Sequence, residues 1–226
     1  MALAANALTT IAEMESILGL ASGSADADLT RAINRASAIA ESYCNRVFYR
    51  DTAISEKYTG AIGPILMIDR PPLNSITSVT YLDGDAEDSG NYEIHDAGSG
   101  EIYRVSGTWF GLNDRFEDSS GTIFHGQGRK VWTVVYDGGW YTPQQVADDG
   151  GLTRGLPYDI EHAACQIALV LYRNQKRNPS VKSETLMSAS QTFASSGGSS
   201  SDGSWLRSTV PGAASILDRY RLGLVA

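Results

Sequence analysis

The chain has 226 residues, 42% of them hydrophobic, and 18 basic against 26 acidic side chains give a net charge of −8. That length and apolar content support one large domain or two small ones with real cores and exclude a disordered tail. The acidic balance argues against a surface that grips nucleic-acid phosphates, which needs a basic stripe, yet suits a protein past which DNA must slide without sticking.

No segment approaches the ~20 apolar residues that span a bilayer, and the N-terminus lacks the basic start and apolar run of a signal peptide. Synthesis in the cytoplasm and no membrane partner are therefore expected. The first helix is announced by Thr10-Ile11-Ala12-Glu13, a capping box, with Met14, Ile17 and Leu18 on one face and Gly19 as terminator. After a loop over residues 22–28, Asp26 or Asp28 is expected to cap a longer helix in which Leu29, Ile33, Ala36, Ala40 and Tyr43 recur at helical spacing. This alanine-rich stripe allows close approach, so it is expected to pack on the helix over 157–176 through Ile160, Ala164, Ile167, Ala168 and Leu171.

Between these helices the hydrophobic period falls to two. Strands are expected over 54–59, 65–68, 76–82, 92–95, 101–105, 122–125 and 131–136, the last with an alternating Val131, Thr133, Val135 face. Arg70-Pro71-Pro72 breaks the ladder, and Asp83-Gly84, Gly98-Ser99-Gly100 and Asp137-Gly138-Gly139 supply turns. The fold class is thus α+β. A helical base of three to four helices, residues 1–50 and 151–187, carries an inserted small β-sandwich or barrel over 51–150. Pro157 suits the first turn of the returning helix, and Asp159 and Glu161 suit its positive end.

From residue 188 to 204, eight of seventeen residues are serine and three are glycine, a composition expected to form a flexible segment. Pro211 then opens a last helix with Ile216, Leu217, Tyr220 and Leu222, closed by Gly223. Residues 205–226 read as a C-terminal arm that docks on a neighbouring subunit, or as a helix folded back on its own bundle; the sequence leaves both open.

Chemistry is sparse. His95, His125 and His162 fall in separate elements without metal-ligand spacing, and Cys44 and Cys165 read as buried free thiols, so no metal, cofactor or catalytic set is expected. Gly126-Gln127-Gly128 sits between strands, out of context for a phosphate loop. Asp83, Asp85, Glu87 and Asp88 read as a solvated loop. The one basic cluster, Arg173, Lys176, Arg177 and Lys182, either answers the dipole of a helix end or contacts an acidic partner or passing phosphate. Trp109, Phe110 and Phe116 give the loop over 106–121 more aromatic area than a solvated loop needs; it covers the β-module's own core or meets another subunit or partner.

Several ordered motifs carry a family resemblance. They are Ala40-Glu41-Ser42-Tyr43-Cys44-Asn45-Arg46; Arg70-Pro71-Pro72-Leu73 leading into the strand through Tyr81; Val134-Val135-Tyr136-Asp137-Gly138-Gly139-Trp140; the Leu156-Pro157 helix opening with its Leu171-Tyr172-Arg173 end; and Ile216-Leu217-Asp218-Arg219-Tyr220-Arg221. In this order the chain resembles the head-tail connector, or head completion, proteins of tailed bacteriophages. The β-insertion is longer than the hairpin of the smallest members, and the serine-glycine segment is unusually extended.

The resemblance implies a non-enzymatic virion protein of the head-tail connector, forming a ring of about twelve copies under the capsid portal. Its partners would be the portal protein, other copies of itself, and the next connector, stopper or tail-completion protein, with double-stranded DNA passing through the lumen unbound. Portal binding would fall to Trp205, Leu206, Arg207, Ile216, Leu217, Tyr220 and Arg221. Two alternatives stand beside it: a tail-completion ring, and an envelope or carbohydrate-binding β-module whose aromatics would be Trp109, Trp132 and Trp140.

Overall fold

The computed structural model describes residues 2–59, 63–81, 84–109, 116–117, 123–124, 131–175, 183–186, 189–192 and 204–221. They fall into two compact units, one of Met1–Tyr49 with Tyr141–Ala226 and one of Arg50–Trp140. The fold is mixed α+β.

In the helical unit, α1 (Ile11–Leu18) begins where Thr10 accepts the Glu13 N–H and ends at Gly19, whose φ of 65° lets its N–H reach back to the Glu15 and Ser16 carbonyls. Helix α2 (Asp26–Cys44) departs from expectation at its start. Ala25 occupies the cap position without a side-chain bond, and Asp26 and Asp28 lie inside the first turn, where their charge meets the helix's positive end instead. Asn45 closes it at a φ of 51°. Helix α3 (Pro143–Asp148) stands where the sequence suggested only a polar loop. Thr142 and Gln145 cap each other reciprocally, with Pro143 just inside the start.

Helix α4 (Tyr158–Gln175) packs on α2, as their small-residue stripes required. Leu29, Ile33, Ala36 and Ala40 face Ile160, Ala164, Ile167 and Ala168 in a dry core, while Leu171 is half-buried. Two short helices, α5 (Ser204–Thr209) and α6 (Pro211–Leu217), continue into a 3-10 turn at Asp218–Tyr220.

Among its described residues the β-unit contains two main antiparallel sheets and a two-stranded pair. The larger orders β1 (Asp51–Tyr58), β9 (Trp132–Gly138), β3 (Leu73–Tyr81) and β4 (Asp85–Ala86); the smaller orders β2 (Ile65–Met67), β6 (Glu101–Arg104) and β5 (Tyr92–Asp96). One cluster of buried side chains is drawn from both main sheets, among them Ile54, Leu66, Val79, Ile102, Val134 and Tyr136.

Strand β9 lies between β1 and β3, and its parity corrects the sequence reading. Trp132, Val134 and Tyr136 point into the core, and Thr133 and Val135 are half-buried on the other side. The two large aromatics fill the inner face, so burial of their area decides the register. Gly138 is required at the strand's end because a Cβ there would lie 2.5 Å from the Arg70 carbonyl oxygen. The Pro71-Pro72 peptide bond is cis.

Of the expected strand over 122–125, only β8 (Ile123–Phe124), paired with β7 (Phe116–Glu117), lies within the described residues. Within the serine-rich segment, residues 189–192 are not a loop: β11 (Ala189–Thr192) pairs with β10 (Ser183–Leu186) as a hairpin.

Candidate functional site

The C-terminal residues assigned to docking lie against their own helical unit. Leu206 and Leu217 are buried, together with Val210, Ala213 and Ala214, and α6 packs on α4 and the end of α2. Of the two readings open in the sequence, the structure takes the folded-back one. The cause is the apolar spacing of Leu206, Val210, Ala213 and Leu217, which gives α5 and α6 one shared face.

A polar network fixes that segment. The Tyr43 hydroxyl donates to Asp218 Oδ1 at 2.6 Å, and Arg207 donates through Nε to the Tyr43 oxygen and through Nη2 to Asp218 Oδ1, both at 2.9 Å. The Arg221 guanidinium lies 5.1 Å from the Tyr43 ring centre. Tyr220 donates to Asp159 on α4 at 2.8 Å, and its ring meets Phe48 edge-on. Burial first, and the bond to Asp159 second, push the Tyr220 hydroxyl up to about 12. The motif at the end of α2 and the closing Asp-Arg-Tyr-Arg motif are therefore partners in space, a juxtaposition that sequence reading did not find.

The exposed remainder of the segment is smaller. Arg207 and Arg221 are exposed, while Trp205, Ile216 and Tyr220 are half-buried.

Trp109 is wholly buried in the β-unit. Its indole N–H is within hydrogen-bond reach of the Pro64 and Ile102 carbonyls at 2.8 and 3.2 Å, and its ring meets Trp132 edge-on with centres 5.1 Å apart. Arg104 lies over both rings and pairs with Glu87 at 2.7 Å. Trp109 thus covers its own core. Glu87 belongs to that ion pair and not to a solvated loop, because the guanidinium held on two indoles needs a carboxylate nearby. Phe116 is described only as strand backbone, and Phe110 lies outside the described residues.

With Trp109 and Trp132 inside, two of the three aromatics proposed for a carbohydrate platform are unavailable to a ligand. Of the basic cluster, Arg173 is exposed in the last turn of α4; Lys176, Arg177 and Lys182 lie outside the described residues.

Both cysteines are free and buried. Cys44 donates to the Leu217 carbonyl at 3.4 Å and Cys165 to Thr9 Oγ1 at 3.3 Å. Burial pushes the two thiols up to about 12 and about 11. They act as small core groups. Among the described residues no group of three or more His, Cys, Asp or Glu is placed to hold a metal ion, and no helix is long and apolar enough to cross a membrane.

Residues 7–116, a little under half of the chain, match the model of the head completion protein family. Its fold is similar to a chain in the neck of a native GTA particle computed with C12 symmetry, at 13% identity and a TM-score of 0.55, covering 100% of this chain and 94% of that one. A chain in the neck of an empty GTA particle computed with C6 symmetry matches at 12% identity and a TM-score of 0.51, and one in the virion of a native gene transfer agent particle at 13% and 0.51; each match covers 100% of this chain and 95% of the other. At such identity the likeness is one of fold. No curated protein matches the chain.

Proposed function

We propose that the protein is a non-enzymatic neck component of a phage-like virion, a head-tail adaptor that forms a ring of about twelve copies beneath the portal and extends the DNA channel toward the tail or the next connector. The observation that carries this reading is the head completion family match over residues 7–116, joined to a fold likeness that covers this whole chain. In this reading residues 1–49 and 141–187 are the helical base, 50–140 the inserted module, 188–204 the linking segment and 205–226 the portal-facing part.

The folded-back C-terminus narrows the portal contact to the side chains it leaves short of full burial, the exposed Arg207 and Arg221 and the half-buried Trp205, Ile216 and Tyr220. Leu206 and Leu217 serve by holding those residues in place. A pre-folded docking surface loses less entropy on binding than a free arm would.

The test is to mix the purified protein with portal rings and weigh the product by native mass spectrometry beside each component alone. The expected result is a discrete complex with about twelve added copies per portal. No association at any salt concentration overturns the portal assignment and moves the protein to a ring on the tail side.

A further inference from the structure

The charge of this chain is unevenly placed. Residues 50–140 hold 14 acidic against 7 basic side chains, a net of −7 out of the chain's −8, whereas residues 173–182 hold Arg173, Lys176, Arg177 and Lys182 and no acid. The acidic unit also carries an exposed apolar stripe. In the smaller sheet Leu66 and Ile102 point into the core, so the opposite parity turns outward: Ile65 is 37% and Met67 56% exposed, and Val105, just past the end of β6, is 53% exposed.

Tyr103 stands opposite Ile65 on one side and Glu93 on the other, and Glu101 stands opposite Met67. Glu93 is exposed and Glu101 half-buried. The face is therefore aliphatic and aromatic at its centre, and along its side run Glu93 and Glu101, with His95 4.0 Å from Glu101 and its ring 5.9 Å from that of Tyr103.

We propose that this sheet face receives the basic stretch beginning at Arg173 of a second copy of the chain, a heterologous contact that repeats around an oligomer. The inference rests on the ring reading given above. An apolar stripe beside carboxylates fits long cationic side chains, whose methylene stems lie on Ile65 and Met67 while their charged ends reach Glu93 and Glu101; an arginine in addition stacks on Tyr103. Arg173, exposed in the last turn of α4, starts the stretch in solvent. Copies brought side by side carry −7 on each β-unit and repel one another unless cations lie between them, which the stretch supplies.

The experiment uses the full chain with a photoactivatable benzophenone amino acid at the exposed Met67 position, mixed in equal parts with nitrogen-15-labelled protein and irradiated in solution and on portal rings. Native mass spectrometry of the unirradiated sample reports the copy number. The expected product is a cross-link of mixed isotopes joining the probe to a peptide within residues 173–182. A cross-link within one chain, to the portal or to another region, or none although the mass shows an oligomer, overturns the inference and leaves the ring reading standing. A chain that stays monomeric both alone and with portal rings overturns the ring reading, and this contact with it.

Charge reversal supplies a second readout. Glu93→Lys with Glu101→Lys is expected to weaken self-association on the order of tenfold, and Arg173→Glu in the same chain to restore part of it. Unchanged association in the double variant refutes the contact, with circular dichroism showing that the sheet is intact.

Discussion

Leu217→Ala tests whether the C-terminal segment is part of the helical core or an arm. Leu217 is fully buried on α6, and its carbonyl accepts from the Cys44 thiol at the end of α2. Removing three carbons from a dry site costs about 0.8 kcal/mol each, or ~2.4 kcal/mol, and the residual cavity brings the total to about 3 kcal/mol. With an m-value of about 2 to 3 kcal/mol per molar urea, the helical transition moves down by about 1 to 1.5 M. The assay is urea unfolding followed by circular dichroism at 222 nm for the helices and, in a Trp205→Phe background that removes the tryptophan on α5, by tryptophan fluorescence for the β-unit, where Trp109 and Trp132 are buried. The helical signal is expected to shift and the β-unit signal to hold. A loss below about 0.5 kcal/mol, the range of ordinary surface substitutions, would refute the packed segment and restore a free arm.

Other consequences are equally direct. Trp109→Ala is expected to cost about 3 to 5 kcal/mol in the β-unit transition, because it empties a core site and leaves Arg104 on one indole; a loss under 1 kcal/mol would contradict the lid role. Gly138→Ala is expected to destabilise the β-unit by about 1 to 3 kcal/mol, since the new methyl meets the Arg70 backbone; an unchanged urea midpoint would show that the chain yields there at no cost. Cys44 is expected to resist thiol reagents at pH 8 in the folded protein and to react after denaturation, its pKa being pushed up to about 12; fast native labelling would mean that α6 opens readily. Tyr220 titrates higher folded than unfolded, so its contribution is present below its ordinary value near 10 and is lost as pH rises through about 12. Tyr220→Phe should flatten that part of the stability profile, measured by thermal melts between pH 9 and 12.

Much of this protein was legible in the chain itself. Thr10 and Gly19 bound the first helix because capping is local chemistry among residues a turn apart. The apolar spacing of α2 and α4 announced both helices and their contact, since a stripe of alanines has nowhere else to be buried. The motifs quoted for the family depended only on order along the chain, and the head completion match over residues 7–116 spans the first two of them.

What sequence could not decide were choices between partners at a distance. Period two marked β9 as a strand, but which face turned inward depended on Trp132 and Tyr136 finding space between two sheets. The aromatics around residue 109 suited a lid somewhat better than a partner contact, and only the closeness of Ile102, Pro64 and Trp132 placed Trp109 inside. Capping of α3 by Thr142 and Gln145 was local and readable, and went unread because the surrounding loop is polar. The C-terminal helix had an apolar face with two possible hosts. Tyr43, Asp159 and Cys44, more than fifty residues away, supplied the groups that hold it on its own unit, and such pairings exist only once the chain has folded.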